Sequence, residues 1–229
     1  VLVTGGSGFI GSNLVELLLD LGYKVRVLDN LSTGYFHNIA HLVDHPRFEF
    51  QLGDILDLPA VEKAVDGVEY VYHLAAMSKV APSMKDPKMA KYCLETNSLG
   101  TINVLNASRN TGGAVKKVVY AASSTYYGNG KTPMREDAAP DLLTPYSSSK
   151  YEGEIQMDIY DRIFGLPTVS IRFMMVFGPR QPTSGAYAIV TGVFVKKLQD
   201  DQPLPIEGDG SHFRDFVHVR DIGETLILA

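Results

Sequence analysis

The chain contains a single cysteine, Cys93, so its 229 residues cannot form an internal disulfide. A reducing compartment is therefore expected, and the predicted location is the cytoplasm. No stretch approaches the roughly 18 consecutive apolar residues of a membrane-spanning helix, and no signal-peptide pattern precedes the first apolar run. The sequence thus predicts a protein without a membrane partner, in which Cys93 is a small buried side chain rather than a nucleophile.

A strong charge imbalance is also absent. Lys and Arg together number 21 against 26 Asp and Glu, which gives a net charge of −5, and no basic run interrupts the chain. This composition argues against a nucleic-acid partner. His41 and His45 have the spacing of a metal-binding pair, but no Glu or Cys completes a site, so no metal is expected. Hydrophobic residues make up 45% of the chain, which is enough for one substantial core.

Short apolar runs alternate with longer periodic segments, a pattern typical of a parallel sheet covered by helices. Strands are predicted at residues 1–3, 24–28, 48–52, 70–74, 118–121 and 168–173. Helices are predicted at residues 9–21, 59–65, 87–110 and 146–164. After residue 178 the alternation loosens, and we expect segments there to leave the sheet and cover a substrate. The chain begins inside a strand and ends in an uncapped amphipathic helix at 221–229, so we expect a fragment of a longer protein.

The first apolar run leads into a glycine-rich turn that opens a helix. Gly5, Gly8 and Gly11 follow the spacing Gly-x-x-Gly-x-x-Gly. Glycines in this context permit a tight turn and a close approach of the backbone to a pyrophosphate, which the helix N-terminus then attracts. The pattern predicts a dinucleotide-binding loop.

Two acidic residues follow the next two predicted strands. Asp29 closes the second strand, where a carboxylate can accept hydrogen bonds from an adenosine ribose and repel a 2′-phosphate, which favours NAD over NADP. Asp54 follows the third strand, where it could contact the adenine or serve only as a turn or helix-capping residue. The spacing alone leaves these two interpretations of Asp54 open.

Tyr146 and Lys150 stand four residues apart at the start of a predicted helix, so their side chains share one face. At about 4 Å and an effective dielectric of about 20, a phenolate and an ammonium attract each other by about 4 kcal/mol. We therefore expect Lys150 to bring the pKa of the Tyr146 phenol down toward neutrality. Such a phenol can act as an acid and a base.

Together these motifs resemble the extended short-chain dehydrogenase/reductase family, in particular its nucleotide-sugar epimerases and dehydratases. The resemblance runs the length of the chain. It rests on the glycine loop, Asp29-Asn30-Leu31, Gly53-Asp54, His73-Leu74-Ala75-Ala76, Asn97-Ser98-Leu99-Gly100-Thr101, Tyr146 with Lys150, Arg172-Phe173, Gly178-Pro179-Arg180-Gln181 and Arg214-Asp215-Phe216.

The resemblance implies an α/β fold with a Rossmann-type doubly wound parallel sheet. Residues 1–173 are then the NAD-binding domain. Residues 174–229 are part of a smaller, incomplete substrate region, with 215–229 returning to the first domain. The family also suggests a homodimer formed through the helical segments 87–110 and 146–164. The expected NAD-binding residues are Gly5, Gly8, Phe9, Ile10, Gly11, Asp29, Asn30, Asp54, Ile55, Leu74, Ala75, Ala76, Asn97, Tyr146 and Lys150.

The implied chemistry is transient oxidation of a sugar hydroxyl by NAD. By resemblance, Tyr146 is the acid and base, Lys150 holds the cofactor ribose, and Ser123, four residues before Tyr127-Gly128, binds the reacting sugar oxygen. The sugar is expected to be carried by UDP or dTDP. Besides Ser123 and Tyr146, the candidate substrate-binding residues are Met175, Arg180, Tyr187 and Arg214.

Two departures from the family pattern bear on the reaction. Dehydratases carry an Asp-Glu pair after the catalytic hydroxyl, where this chain has Ser124-Thr125, so a 4-epimerase is favoured and a dehydratase or decarboxylase is the alternative. Met175 stands where the family usually has a substrate-binding asparagine. Arg214 is expected to meet the nucleotide diphosphate or, alternatively, to form an internal salt bridge. A catalytically silent NAD-binding regulator is a further alternative.

Overall fold

Six parallel strands form the central sheet of the computed structural model, which describes residues 1–185, 188–206 and 208–229. They are β1 (Leu2–Thr4), β2 (Val25–Asp29), β3 (Phe48–Leu52), β4 (Tyr70–His73), β5 (Lys117–Ser123) and β6 (Thr168–Phe173). Their order across the sheet is β3-β2-β1-β4-β5-β6. The chain therefore winds outward in both directions from β1, which confirms the predicted doubly wound sheet. A crevice opens beyond the carboxyl ends of β1 and β4, where the winding reverses.

Helices cover both faces of this sheet. They are α1 (Phe9–Asp20), α2 (Leu58–Val65), α3 (Val80–Lys85), α4 (Pro87–Leu94), α5 (Gly100–Arg109), α6 (Pro145–Phe164), α7 (Val190–Gln199) and α8 (Val219–Leu228). One apolar core unites side chains of α2, α5 and α6 with the sheet, and a second unites those of α1 and α8 with it. The inner strands β1, β4 and β5 are mostly buried, whereas the edge strands β3 and β6 alternate apolar and polar residues and are only partly buried.

The helix predicted at 87–110 is divided in the structure. A π-helical turn at Glu95–Leu99 separates α4 from α5. A π turn holds more residues than an α turn, so the side chains after it are rotated relative to a regular helix. No proline lies between Lys88 and Asn110, so the sequence pattern predicts one helix.

The segment after β6 contains elements that the sequence pattern did not predict. The strands β7 (Met175–Phe177) and β8 (Phe216–His218) form a separate parallel pair. Helix α8, which follows β8, packs on α1: a Cβ atom at Gly223 would lie 2.4 Å from Leu17 Cδ1. The helix predicted at 221–229 is thus present, and it belongs to the core of the main sheet. The domain boundary at residue 173 stays a prediction.

Candidate cofactor and substrate site

A cavity of about 610 Å³ lies at the carboxyl ends of the central strands. All but one of the residues predicted to bind the cofactor line it. They are Gly5, Gly8, Phe9, Ile10, Gly11, Asp29, Asn30, Asp54, Ile55, Leu74, Ala75, Ala76, Tyr146 and Lys150. The topology therefore gathers side chains that are widely spaced in the sequence, and their contact with a cofactor remains a prediction.

The glycine loop is shaped so that larger residues do not fit. A Cβ atom on Gly11 would lie 2.2 Å from the Gly5 carbonyl oxygen, and one on Gly5 would lie 2.7 Å from the Ala75 amide nitrogen. Helix α1 begins at this loop without a side-chain cap and without an acidic residue in its first turn. Its first N–H groups are therefore left for an anion, and the loop fits the diphosphate of a dinucleotide.

Asp29 is held rigidly at the end of β2. Its Oδ2 accepts a hydrogen bond from the Ser7 amide at 2.9 Å, and its Oδ1 accepts one from the Leu31 amide at 2.8 Å. Burial raises the pKa of this carboxyl, while the bonds from Leu31 and Ser7 act in the opposite direction. Each carboxylate oxygen retains a further lone pair, so the group can accept hydrogen bonds from ribose hydroxyls in the cavity.

The Asp54 side chain stabilises the turn that follows β3. Its Oδ1 accepts a hydrogen bond from the Leu56 amide at 2.9 Å, and its Oδ2 accepts one from Asn30 Nδ2 at 2.8 Å. The structure therefore supports the turn role that the sequence left open. Asp54 also lines the cavity, so a contact with adenine stays a prediction.

The start of α6 places Tyr146 and Lys150 on the cavity wall. Thr144 caps this helix by accepting a hydrogen bond from the Ser147 amide at 3.0 Å, and Pro145 occupies the first helical position. Lys150, one turn beyond Tyr146, is only 2% exposed. The helix start is thus rigid where the two candidate catalytic side chains project from it.

The protonation of this pair differs from the prediction. Burial raises the pKa of the Tyr146 phenol, although a hydrogen bond with Ser123 acts to lower it. Burial also lowers the pKa of Lys150, to about 7. The expectation that Lys150 brings the phenol toward neutrality is therefore wrong for this structure. Helical spacing reveals that two groups are close, but it does not reveal how burial shifts the pKa of each.

Ser123 ends β5 next to this helix. Its Oγ lies 2.8 Å from Thr125 Oγ1 and accepts a hydrogen bond from the Thr125 amide at 3.2 Å. The side chain is buried and does not line the main cavity, but it lies close enough to the Tyr146 phenol to act on its pKa. The structure thus brings the three predicted catalytic residues together.

Asn97 is the one predicted cofactor-binding residue that does not line the cavity, and its contact with the cofactor stays a prediction. Its Nδ2 donates to the Met77 carbonyl at 3.0 Å and to Ser149 Oγ at 2.9 Å, and its Oδ1 accepts from the Met77 amide at 2.8 Å. The π turn directs this buried side chain toward the loop after β4 and toward α6. Asn97 therefore fastens the loop that contains Ala75 and Ala76.

Arg180 does not line the main cavity but an adjoining second cavity of about 500 Å³, and the two cavities share Phe9, Tyr35 and Pro182. Its guanidinium forms an ion pair with Glu16, with Nη1–Oε1 and Nη2–Oε2 distances of 2.7 and 2.5 Å. It also donates to Asn13 Oδ1 at 3.1 Å and to the Asn38 carbonyl at 3.2 Å. These bonds join the segment after β7 to helix α1, and they do not point to a substrate contact.

The remaining substrate candidates lie outside the cavity or outside the described residues. Met175 begins β7, where its amide donates to the Asp215 carbonyl at 3.0 Å. Arg214 is exposed and donates a hydrogen bond to the Phe213 carbonyl at 2.7 Å. It forms no ion pair with any residue that the structure describes, so the alternative of an internal salt bridge is not observed. Tyr187 falls in the part of the chain that is not described.

Several cavity-lining residues had no sequence signal. Tyr35, Met77 and Lys79 lie in irregular segments after strands, where no periodicity marks the inward side. Tyr92 and Thr96 lie on α4 and on the π turn that follows it. No cluster of three or more potential metal ligands occurs within the described ranges, and His41 Nε2 lies 2.7 Å from Glu16 Oε1. In those same ranges, no helix is long and apolar enough to span a bilayer.

Comparison with known protein families identifies the family of this chain. The model of the NAD dependent epimerase/dehydratase family matches residues 1–229. The chain belongs to this family. Its members and structural relatives bind NAD, and the glycine loop, the uncapped start of α1 and Asp29 fit that cofactor in this chain.

Individual relatives include both reaction types of the family. The chain is 35% identical to the UDP-glucose 4-epimerase of Mycolicibacterium smegmatis, over all of this chain and 72% of that protein. Its fold matches that of the UDP-N-acetylglucosamine 4-epimerase of Methanobrevibacter ruminantium M1 in complex with UDP-N-acetylmuramic acid, with a TM-score of 0.92 and 33% identity. This match covers 99% of the present chain and 71% of the epimerase chain. It also matches a dTDP-glucose 4,6-dehydratase of Streptomyces venezuelae with NAD bound, with a TM-score of 0.88, 32% identity, and coverage of 99% and 70%.

Proposed function

We propose that this protein is an NAD-dependent nucleotide-sugar 4-epimerase. The observation that carries the proposal is the placement of Tyr146 and Lys150, one helical turn apart, on the wall of the main cavity. Ser123 lies at the end of β5 beside them, where a serine hydroxyl and a phenol can together hold one sugar hydroxyl. The 4-epimerase relatives support the same reaction.

The proposed roles follow from the geometry. The Tyr146 phenol oxygen removes the proton of the sugar hydroxyl and later returns it, and the Ser123 hydroxyl orients the same oxygen. The Lys150 ammonium holds the cofactor ribose, while Asp29 accepts hydrogen bonds from the adenosine ribose and the glycine loop binds the diphosphate. When bound, NAD supplies the reversible oxidation of the sugar carbon. The sugar carrier in this proposal is UDP or dTDP.

The absence of a carboxylate pair after Ser123 favours epimerisation over dehydration. Thr125 Oγ1 lies 2.8 Å from Ser123 Oγ, so this hydroxyl supports the serine, and it is no acid or base at neutral pH. A dehydratase is the second candidate because of the fold match to the Streptomyces enzyme. The distinction is chemical, since a dehydratase releases a keto-deoxy sugar and an epimerase releases the C4 epimer.

The test is incubation of the purified protein with NAD and a panel of UDP- and dTDP-sugars, with the products identified by NMR. We expect interconversion of C4 epimers without net consumption of NAD. Tyr146→Phe should abolish turnover while NAD binding persists, and Tyr151→Phe on the same helix is the matched control. A keto-deoxy product would favour the dehydratase. Full activity of Tyr146→Phe would reject the proposed role of Tyr146, whereas NAD binding without turnover of any sugar would reject the epimerase and favour the silent regulator.

We also propose a cytoplasmic homodimer. Helices α4 to α6 carry exposed apolar side chains, among them Leu94, Leu99 and Ile155 at 39, 54 and 41% exposure. A second copy packed on these helices would remove this surface from water. Leu99→Glu should convert a dimer to a monomer in sedimentation analysis, whereas Leu21→Glu, at an exposed position beyond α1, should not. A monomeric wild-type protein would contradict the proposal.

A further inference from the structure

The aromatic ring of Tyr120 lies beneath the Lys150 ammonium. The Nζ atom lies 4.0 Å from the ring centroid. Tyr120 is fully buried on β5, and Lys150 is 2% exposed. A desolvated cation over an aromatic face is attracted by the negative potential of that face, and the attraction is stronger there than at a hydrated surface.

A second contact joins the same two residues through the backbone. Tyr120 Oη donates a hydrogen bond to the Lys150 carbonyl oxygen at 3.2 Å. One turn of helix further on, a Cβ atom at Gly153 would lie 2.3 Å from Tyr120 Oη. Helix α6 therefore approaches the ring closely because position 153 has no side chain. The hydroxyl and the ring face of Tyr120 thus contact the main chain and the side chain of the same lysine.

Other groups around Lys150 do not supply a counter-charge. None of the ion pairs formed by the described residues involves Lys150. The titratable groups that interact with it electrostatically are His73 on β4 and Cys93 on α4. Burial lowers the pKa of His73 to about 3, so this ring is neutral, and burial raises the pKa of the Cys93 thiol. Tyr146, one turn earlier on α6, has a raised pKa and is also neutral.

We propose that Tyr120 is a positioning residue for Lys150: its ring face holds the ammonium at the cavity wall, and its hydroxyl fixes the helical turn that carries it. The proposal rests on the function given above, in which Lys150 holds the cofactor ribose. Tyr120 does not line the cavity, so it acts only through Lys150.

Two variants separate the ring from the hydroxyl. Tyr120→Phe keeps the aromatic face and removes the hydrogen bond to the Lys150 carbonyl, whereas Tyr120→Leu removes both. The probe is the protein labelled with ¹³C at the lysine ε carbon, observed by NMR without cofactor, with the Lys150 signal assigned from its absence in Lys150→Arg. Protons above an aromatic ring are shielded. We therefore expect the Lys150 ε protons to resonate upfield of those of the other lysines in the wild type and in Tyr120→Phe. In Tyr120→Leu, we expect them to resonate in the same range as those of the other lysines.

The proposal is overturned if the wild-type Lys150 signal lies with the other lysines, or if Tyr120→Leu leaves it upfield. The wild-type measurement decides even where Tyr120→Leu does not fold. In a folded Tyr120→Leu protein, kcat should also fall to half at a pH lower by about half a unit, since loss of the contact favours the neutral lysine and the ammonium is the form that holds the cofactor ribose. Tyr120→Phe should keep the wild-type profile; the same shift in both variants would also overturn the proposal.

The NMR signal does not depend on turnover. If no nucleotide sugar is epimerised but the upfield signal is present and is lost in Tyr120→Leu, the proposed function fails and the role of Tyr120 in holding Lys150 is supported. If epimerisation occurs and the upfield signal is absent, the proposed function is supported and the role of Tyr120 is rejected.

Discussion

The Arg172 guanidinium is paired with the Glu154 carboxylate between the end of β6 and the middle of α6. The Nη2–Oε1 distance is 2.6 Å, and Nε lies 3.2 Å from both carboxylate oxygens. Arg172 also donates to the Tyr127 hydroxyl and to the Glu136 carbonyl, both at 3.0 Å. Because Tyr127 lies on the turn that follows Ser123, one arginine connects this turn to the helix of Tyr146 and Lys150.

Arg172→Ala should destabilise the protein by about 2–3 kcal/mol, because it leaves the Glu154 carboxylate without its partner in a largely buried place. The two side chains are 21 and 18% exposed. The matched control is Arg162→Ala on α6, the helix that also contains Glu154. The side chains of Arg162 and its partner Asp158 are 68 and 58% exposed, so this ion pair should contribute less than about 0.5 kcal/mol to stability. Urea unfolding of the three proteins measures both effects, and equal losses would contradict the prediction.

Asn97→Ala should loosen the loop after β4, because three hydrogen bonds between Asn97 and the residues Met77 and Ser149 are lost. We expect hydrogen exchange of the Met77 amide to accelerate at least about tenfold, which corresponds to about 1.4 kcal/mol, and NAD affinity to fall. The control is Asn103→Ala on α5, whose side chain donates to the carbonyls of Ile55 and Leu56 instead. Unchanged exchange at Met77 in Asn97→Ala would refute the fastening role.

Asp29→Asn should reduce the preference for NAD over NADP. An amide does not repel a 2′-phosphate, and its NH₂ group cannot accept the hydrogen bond that one carboxylate oxygen accepts from Ser7 or Leu31. We expect the dissociation constant for NADP, divided by that for NAD, to fall by about tenfold or more. Calorimetry with each cofactor measures the two constants. Asn30→Ala is the control, since it alters the neighbouring hydrogen bond to Asp54 and leaves the Asp29 charge in place. An unchanged ratio in Asp29→Asn would mean that another residue selects the cofactor.

His73 should make the protein less stable in acid. Burial lowers the pKa of His73 from 6.5 to about 3, so below pH 6.5 the unfolded chain takes up a proton that the folded chain does not. The contribution of His73 to the free energy of unfolding is therefore complete above pH 6.5. As the pH falls below that value, the free energy of unfolding decreases by about 1.4 kcal/mol per pH unit, down to about pH 3.

The measurement for His73 is the free energy of unfolding in urea between pH 6 and 4.5. In His73→Gln the pH slope should be smaller by about 1.4 kcal/mol per pH unit, whatever the absolute loss of stability. Equal slopes in the two proteins would show that His73 does not cause the acid sensitivity. The ring is held between Thr4 Oγ1 at 2.7 Å and Thr101 Oγ1 at 2.9 Å, so its signal in NMR should also stay constant over this range.

The parts that could be predicted from the sequence are those that depend on local order. The glycine loop, the parallel strands and the capped start of α6 each follow from residues that are adjacent or one turn apart. The cavity could be predicted because parallel strands bring their carboxyl ends to one edge, so Asp29 and Asp54 had to lie near the loop.

What could not be predicted depends on contacts between distant segments. Arg180 is paired with Glu16, and no pattern at either position reveals the other. The π turn that aims Asn97 at Met77 contains no glycine or proline that would mark it in the sequence. The direction of the Tyr146 pKa depends on burial, which arises only when β5, α5 and α6 have packed together.

The packing of α8 on α1 has a consequence for how the chain folds. Leu17 and Gly223 meet across about 200 positions of sequence, so α1 gains this neighbour only after nearly all of β1 to β8 has been synthesised. A contact of such high sequence separation carries a large loop-closure cost and raises the contact order, which slows folding. On the ribosome, the glycine loop therefore emerges long before helix α8, which provides part of the final covering of α1.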